Sequence, residues 1–259
     1  MNQKNTEFFN RAEINNDIRN KSTKGRMYTF ISQGISFFFQ ISTTIILARL
    51  VSPQHFGLVA MVVSITGFAG IFRTFGLSQA TIQRDNITHE QVSTLFWINT
   101  LIGLALMVVT IASSPIIAWF YNDSRLIKIT IILSTSFLFS GLAVQHNAIL
   151  RRQMQFGRIA LVIIISKSIS TSLAITFAFL FTGYWSIVVL NVSDHVLNSI
   201  GVFLVCKWKP GLPVRNSGAR KLIQFGFDVT LFNFIAYISN NLDKILLGKF
   251  YGPAIVGFY

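Results

Sequence analysis

Lys167 is the single charged residue between positions 159 and 182, a stretch otherwise made of apolar, hydroxyl and small side chains. A charge at the centre of a lipid-spanning helix costs about 2.5–3.5 kcal/mol on insertion scales. The ammonium must therefore face protein or water. At about 100° per residue, Ser170 and Thr171 share its face. Two chemistries fit: a cation lining a central cavity and open to an anionic group, or a structural partner for an acid on a neighbouring helix. Asp194 is the natural candidate for that acid, mid-way along the next apolar run. Asn191, Asp194, His195 and Asn198 fall within an arc of roughly 100°, a polar stripe on an apolar helix. That stripe suits a cavity wall, an inter-lobe contact, a plain ion pair, or a titrating relay for protons. Ser32, Gln33, Ser36, Gln40, Thr43 and Thr44 make a third polar face, within about 120° of arc on the first apolar run. It serves either helix–helix hydrogen bonding or a hydrated wall for hydroxyl-rich ligands.

Other chemistry is disfavoured. His55, His89, His146 and His195 have no metal-ligand spacing, and Cys206 is the sole cysteine, so no thiolate cluster or internal disulfide forms. No Gly-rich nucleotide loop occurs, and no catalytic constellation or cofactor is expected.

The elements that hold these residues are helices of membrane length. Apolar residues make up 52% of the 259-residue chain and charged residues only 12%, against about 25% in soluble domains. Residues 27–48, 50–72, 91–122, 129–150 and 168–193 contain no Asp, Glu, Lys or Arg. Runs of about 20 apolar residues cross the roughly 30 Å hydrocarbon core as helices. Seven helices are predicted, over 27–48, 56–72, 92–118, 129–150, 159–182, 184–206 and 222–242. Aromatics at Trp119-Phe120-Tyr121, Tyr184-Trp185 and Trp208 are expected at the interfaces.

The net charge of +13 reads as a topology signal rather than a nucleic-acid surface. Alternate loops divide the cations unequally. Sixteen of the 22 Lys and Arg fall on the side of the N-terminus, five on the other, and Lys167 lies within a span. The N-terminus is expected on the cytoplasmic side of a multi-pass membrane protein.

Leu47-Ala48-Arg49-Leu50-Val51-Ser52-Pro53-Gln54-His55-Phe56-Gly57-Leu58 aligns without gaps to Leu247-Gly248-Lys249-Phe250-Tyr251-Gly252-Pro253-Ala254-Ile255-Val256-Gly257-Phe258. Leu, Pro and Gly coincide, with a base at the same place. Coincidence among common turn residues is one account. The other is a six-helix repeat, of the kind transporters use to build a site between halves. On that reading the chain stops as its eighth helix begins, and is expected to be truncated.

Six segments in order resemble one family: LARLVSPQHFG (Leu47 to Gly57), FGLSQATIQR (Phe75 to Arg84), LFWIN (Leu95 to Asn99), NAILRRQMQF (Asn147 to Phe156), GYWSIV (Gly183 to Val188) and NLDKILLGKFYGPAIVGFY (Asn241 to Tyr259). The chain resembles the polysaccharide-export flippases of the multidrug/oligosaccharidyl-lipid/polysaccharide superfamily, nearest the lipopolysaccharide and colanic-acid exporter branch. The resemblance implies an all-α, MATE-like transporter of two six-helix lobes with alternating access. It implies an undecaprenyl-pyrophosphate-linked oligosaccharide as substrate, with membrane lipids, a C-terminal lobe and polysaccharide-assembly proteins as partners. The expected organisation is a cytoplasmic segment 1–26, a six-helix lobe 27–206, a basic linker 207–221, and the start of the second lobe at 222–259.

In that setting Lys167 would attract the pyrophosphate, with Ser170, Thr171 and Gln40 on the cavity wall. Arg49 and Arg73, at opposite membrane edges, would guide phosphate at either mouth or act as snorkelling anchors. Arg151-Arg152 reads as a topology anchor. Asp194, His195, Asn191, Asn198 and Asp243 are coupling or inter-lobe candidates, Asp243 only by its place in the family-like Asn-Leu-Asp-Lys stretch. A drug or cation antiporter shares the fold but favours acidic cavities. An enzyme acting on the same lipid needs a larger catalytic loop than any seen here. A truncated product without transport activity is the remaining alternative.

Overall fold

The computed structural model describes residues 18–71, 77–84, 87–181, 183–213, 242–244 and 246–257. Seven helices run through them in order: α1 (Ile18–Leu50), α2 (Pro53–Ile71), α3 (Leu77–Gln83), α4 (His89–Tyr121), α5 (Arg125–Arg152), α6 (Phe156–Leu180) and α7 (Trp185–Val205). Residues 246–257 are also helical, and no strand occurs among the described residues. Five helices (α1 from Gly25, α4, α5, α6 and α7) are long and apolar enough to cross a membrane. Large apolar side chains are exposed along them, including Phe30, Phe38, Trp119 and Leu204. Such a surface belongs in lipid, where helices satisfy their own backbone hydrogen bonds. The chain is an all-α, multi-pass membrane protein.

Local chemistry sets the helix ends. Pro53 opens α2, where its missing N–H costs no hydrogen bond. Thr88 and Gln91 form a reciprocal capping box at the start of α4. Asn122 closes that helix in the left-handed conformation, its N–H donating to the carbonyls of Ala118 and Trp119. Short connections then alternate the helices, so that Arg84, Arg151, Arg158 and Lys207 lie near helix termini at one end of the bundle, called here the basic end.

The helix pairs α4–α5, α6–α7, α1–α6 and α5–α7 pack together. The α4–α5 crossing depends on two glycines. A Cβ on Gly103 would stand 2.7 Å from the Phe137 carbonyl oxygen, and one on Gly141 would stand 2.7 Å from that of Asn99. Backbones this close exclude any side chain, the packing that lipid-embedded helices favour. Gly141→Leu is expected to force the helices apart and lower stability by about 1–3 kcal/mol, the usual range for overpacking. A thermal melt in detergent reads the change; an unaltered melt would contradict the close crossing.

Several expectations need correction. The first helix begins at Ile18 rather than 27, so residues 18–26 of the basic N-terminal segment are helical. The stretch read as a loop between the second and third spans contains α3, a seven-residue helix held by buried Leu77, Ala80 and Thr81. Trp208 is not at a lipid interface. It is 2% exposed, with its indole N–H donating to His89 Nδ1 over 3.1 Å. Gly211 extends this tether: its N–H donates to Ser93 Oγ and its carbonyl accepts from Trp97 Nε1. The start of the predicted linker therefore lies along the first turns of α4. Residues 1–17, Arg73, linker residues 214–221 and nearly all of the predicted 222–242 helix lie outside the described residues.

The repeated segments touch each other. A Cβ on Gly57 would collide with the Pro253 carbonyl, and one on Gly257 would collide with the Pro53 carbonyl. Each glycine thus packs on the proline of the other copy, as in a contact made by a local two-fold axis. Lys249, the counterpart of Arg49, donates to the Phe120 carbonyl and sits 4.6 Å above the Phe120 ring.

Candidate functional site

Polar side chains that hydropathy forbids from facing lipid converge on two adjoining cavities, one walled by α1, α3, α5, α6 and α7 and the other by α1, α2, α6 and α7. The larger, of about 560 Å³, opens from the basic end. Its wall includes Ser36 of α1, Ser78 and Gln79 of α3, Ser140, Asn147 and Arg151 of α5, and Asn198 of α7. The smaller, of about 350 Å³, lies toward the opposite end. Gln40, Thr43 and Thr44 line it from α1, Ser170 and Thr171 from α6, and Asn191 from α7. Lys167, Asp194 and His195 line both.

Lys167 Nζ is 3.7 Å from Asp194 Oδ2, and each side chain is about one-third exposed. The insertion costs of the two charges oblige them to share the bundle interior, and pairing eases the cost for each. His195 Nδ1 lies 3.2 Å from Ser140 Oγ, which ties α7 to α5. Thr43 and Thr171 share a hydrogen bond of 2.9 Å between hydroxyls, tying α1 to α6.

The structure thus brings together Lys167, Ser170, Thr171, Gln40, Asp194, His195, Asn191 and Asn198. It separates others. Arg49 is exposed in the last turn of α1 and lines neither cavity. Asp243 is helical and exposed, also away from both. The α1 polar face divides, with Ser36 in one cavity, Gln40, Thr43 and Thr44 in the other, and Gln33 exposed elsewhere.

Sequence reasoning missed the cavity residues Ser78, Gln79, Ser140, Asn147 and, with the most consequence for charge, Arg151. Adjacent arginines at a helix end look alike as topology signals, yet 100° of helical rotation gives them different surroundings. Arg151 lines the larger cavity. Arg152 is 8% exposed and donates to the backbone carbonyls of Thr81 and Arg84, fastening α3 to the end of α5. Thr81 Oγ1 adds a 3.0 Å bond to Gln145 Oε1. A signal for Arg151 exists in the sequence: Ser140, Asn147 and Arg151 recur at intervals of seven and four, one stripe of α5. Arg152→Ala is expected to destabilise the bundle by about 1–3 kcal/mol, because Arg152 Nη1 donates to both carbonyls and truncation leaves those acceptors without it. Arg151→Ala should leave the melting temperature unchanged. Paired melts of the two variants test the distinction, and equal effects would refute it.

Residues 46–259 match a family described as polysaccharide biosynthesis protein. The chain is 30% identical over 244 residues to the teichuronic acid biosynthesis protein TuaB of Bacillus subtilis, covering 93% of this chain and 50% of that protein. It is 23% identical over 248 residues to the lipopolysaccharide biosynthesis protein WzxC of Escherichia coli, with coverages of 93% and 50%. To the succinoglycan biosynthesis transport protein ExoT of Rhizobium meliloti it is 23% identical over 238 residues, covering 92% and 48%. The chain therefore spans about half the length of these curated relatives. No solved structure matches. With most of its length matched, and the matched region holding nearly all of the larger cavity's lining and most of the smaller's, the chain belongs to the polysaccharide biosynthesis protein family of multi-pass membrane proteins.

Proposed function

We propose that this chain forms the first six-helix lobe, and the start of the second, of a flippase that carries lipid-linked oligosaccharide across the bacterial inner membrane. The observation that carries this reading is the polar cavity at mid-bundle, centred on Lys167 and walled by hydroxyls and amides, inside a bundle whose outer surface is apolar. Both cavities fall in the size range of ligand sites, about 300–1,000 Å³. The basic end faces the cytoplasm under the positive-inside rule, with the N-terminus there.

An undecaprenyl-pyrophosphate-linked saccharide matches these features. Its phosphates meet Arg151 near the mouth and Lys167 at depth, while sugar hydroxyls exchange hydrogen bonds with Ser78, Gln79, Asn147 and Asn198. The polyprenyl tail stays in lipid. At 4 Å and an effective dielectric near 20, each unit-charge pair is worth about 4 kcal/mol before desolvation. The larger cavity carries two cations, Arg151 and Lys167, against one acid, Asp194. That balance favours an anionic ligand over the cationic substrates of a drug antiporter. The protein acts by binding and conformational change rather than by making or breaking bonds. The remainder of the second lobe would complete the cavity. The reciprocal contacts of Gly57 and Gly257 support its docking in two-fold register with the first. Polysaccharide-assembly proteins are the further partners.

The test is direct binding by the purified chain in detergent, followed by native mass spectrometry. Undecaprenyl-pyrophosphate-linked oligosaccharide should bind at least about tenfold more tightly than the same saccharide on neutral undecaprenol, a difference of about 1.4 kcal/mol. Equal binding of the two would reject an anion-directed site. Reporter fusions at 152–158 and at 122–124 fix the orientation, with the first expected inside and the second outside.

A further inference from the structure

The linings of the two cavities have three residues in common: Lys167, Asp194 and His195. These three stand about half-way along their helices, as does Ser140 on α5. At this depth the helices are joined in a series of side-chain bridges. Lys167 to Asp194 links α6 to α7, and His195 to Ser140 links α7 to α5, while about one turn further toward the smaller chamber Thr43 to Thr171 links α1 to α6. On one side of this level lies the chamber opening toward Arg151; on the other lies the chamber that reaches Leu47 and Phe56.

We infer that the Lys167–Asp194 pair is a septum between an entry chamber and an exit chamber, opened when a phosphate anion takes the place of the Asp194 carboxylate on Lys167. This rests on the proposed reading of the cavity as a path for an anionic headgroup, and adds the means by which the path is closed when empty. The physical basis is the modest strength of the pair. An ion pair with both partners one-third exposed has little net stability. A ligand bearing two or more negative charges therefore competes with a single carboxylate for the same ammonium, and gains charge-assisted hydrogen bonds in doing so. Once displaced, Asp194 no longer bridges α6 to α7, and its charge repels the anion away from the septum. A deeply buried pair would have been too costly to break, since exchange would leave an uncompensated charge.

The experiment reads access rather than transport. Cys206 is the sole cysteine and is buried, so it contributes little background to thiol labelling. Single cysteines are introduced at Asn147 in the entry chamber and at Thr44 in the exit chamber, and the chain is reconstituted in lipid vesicles. A membrane-impermeant maleimide is added to one face at a time. Each cysteine should react from its own face only. Inorganic pyrophosphate should raise labelling from the opposite face about fivefold, the shift that loss of an exposed pair supplies. Asp194→Ala should do the same without pyrophosphate. The exchanged pair, Lys167→Asp with Asp194→Lys, should restore one-sided labelling.

Unchanged labelling in Asp194→Ala overturns the septum. A response to Asp194→Ala but none to pyrophosphate overturns opening by anion exchange. Equal effects of chloride and pyrophosphate also overturn it, because they would report salt screening. Failure of the flippase reading has a different signature: pyrophosphate still opens the septum, while the pyrophosphate-linked saccharide binds no better than its neutral counterpart.

Discussion

Replacing Lys167 with glutamate in a full-length exporter carrying this lobe should reduce surface glycan about a hundredfold or more at matched protein levels, the scale set by one unit-charge pair. The substitution removes the cation shared by the two cavities and places a second carboxylate beside Asp194. The lost attraction is bounded by the roughly 4 kcal/mol of one such pair at 4 Å. Even half of that, after desolvation and screening, is more than a tenfold change in binding. Repulsion between the introduced carboxylate and the anionic ligand acts in the same direction. Lys167→Ala should therefore fall between wild type and Lys167→Glu, and Asp194→Lys in the Lys167→Glu background should recover part of the loss. Normal glycan from the Lys167→Glu protein would sink the cavity assignment.

The second large effect is expected at the contact between the repeats. Gly57→Leu drives a side chain into the Pro253 carbonyl, and Gly257→Leu drives one into that of Pro53. A backbone carbonyl cannot rotate aside as a side chain can, so relief requires the helices to separate. Each substitution should weaken the contact by about 1–3 kcal/mol. Because both act on a single surface, the double variant should cost little more than either alone, a failure of additivity typical of neighbouring sites. Amide hydrogen exchange over residues 246–257 measures this directly, and protection in that helix should fall at least about tenfold in each single variant. Strict additivity would show that the two glycines belong to separate contacts.

Much of this architecture is readable in the sequence because lipid imposes a severe rule on charge. The spans predicted from hydropathy at 56–72, 92–118, 129–150, 159–182 and 184–206 locate α2 and α4 to α7 to within about four residues, although α1 starts at Ile18, where hydropathy falls but helix persists. The insertion cost of Lys167 and Asp194 requires each to find the interior, and their ion pair follows from that cost. The Pro-Gly repeat is visible as a pattern, and only the fold reveals that its copies pack on one another. Three features escape for definite reasons. α3 is too short for any membrane-length window and is defined by contacts with α5. Gly103 and Gly141 carry no hydropathy signal that distinguishes a tight crossing from a lipid-facing position. Trp208 follows an apolar span, as an interface aromatic would, and only its partner His89, far earlier in the chain, explains its burial.

The two arginines ending α5 divide duties that their adjacency conceals. One is mortared into the wall by backbone oxygen, and the other stands exposed beside the doorway. A single-residue insertion or deletion between Asn147 and Arg151 would shift both by one step of the helix, leaving composition and overall charge nearly untouched. The lineage of such a protein is therefore expected to tolerate changes of residue type here far better than changes of length.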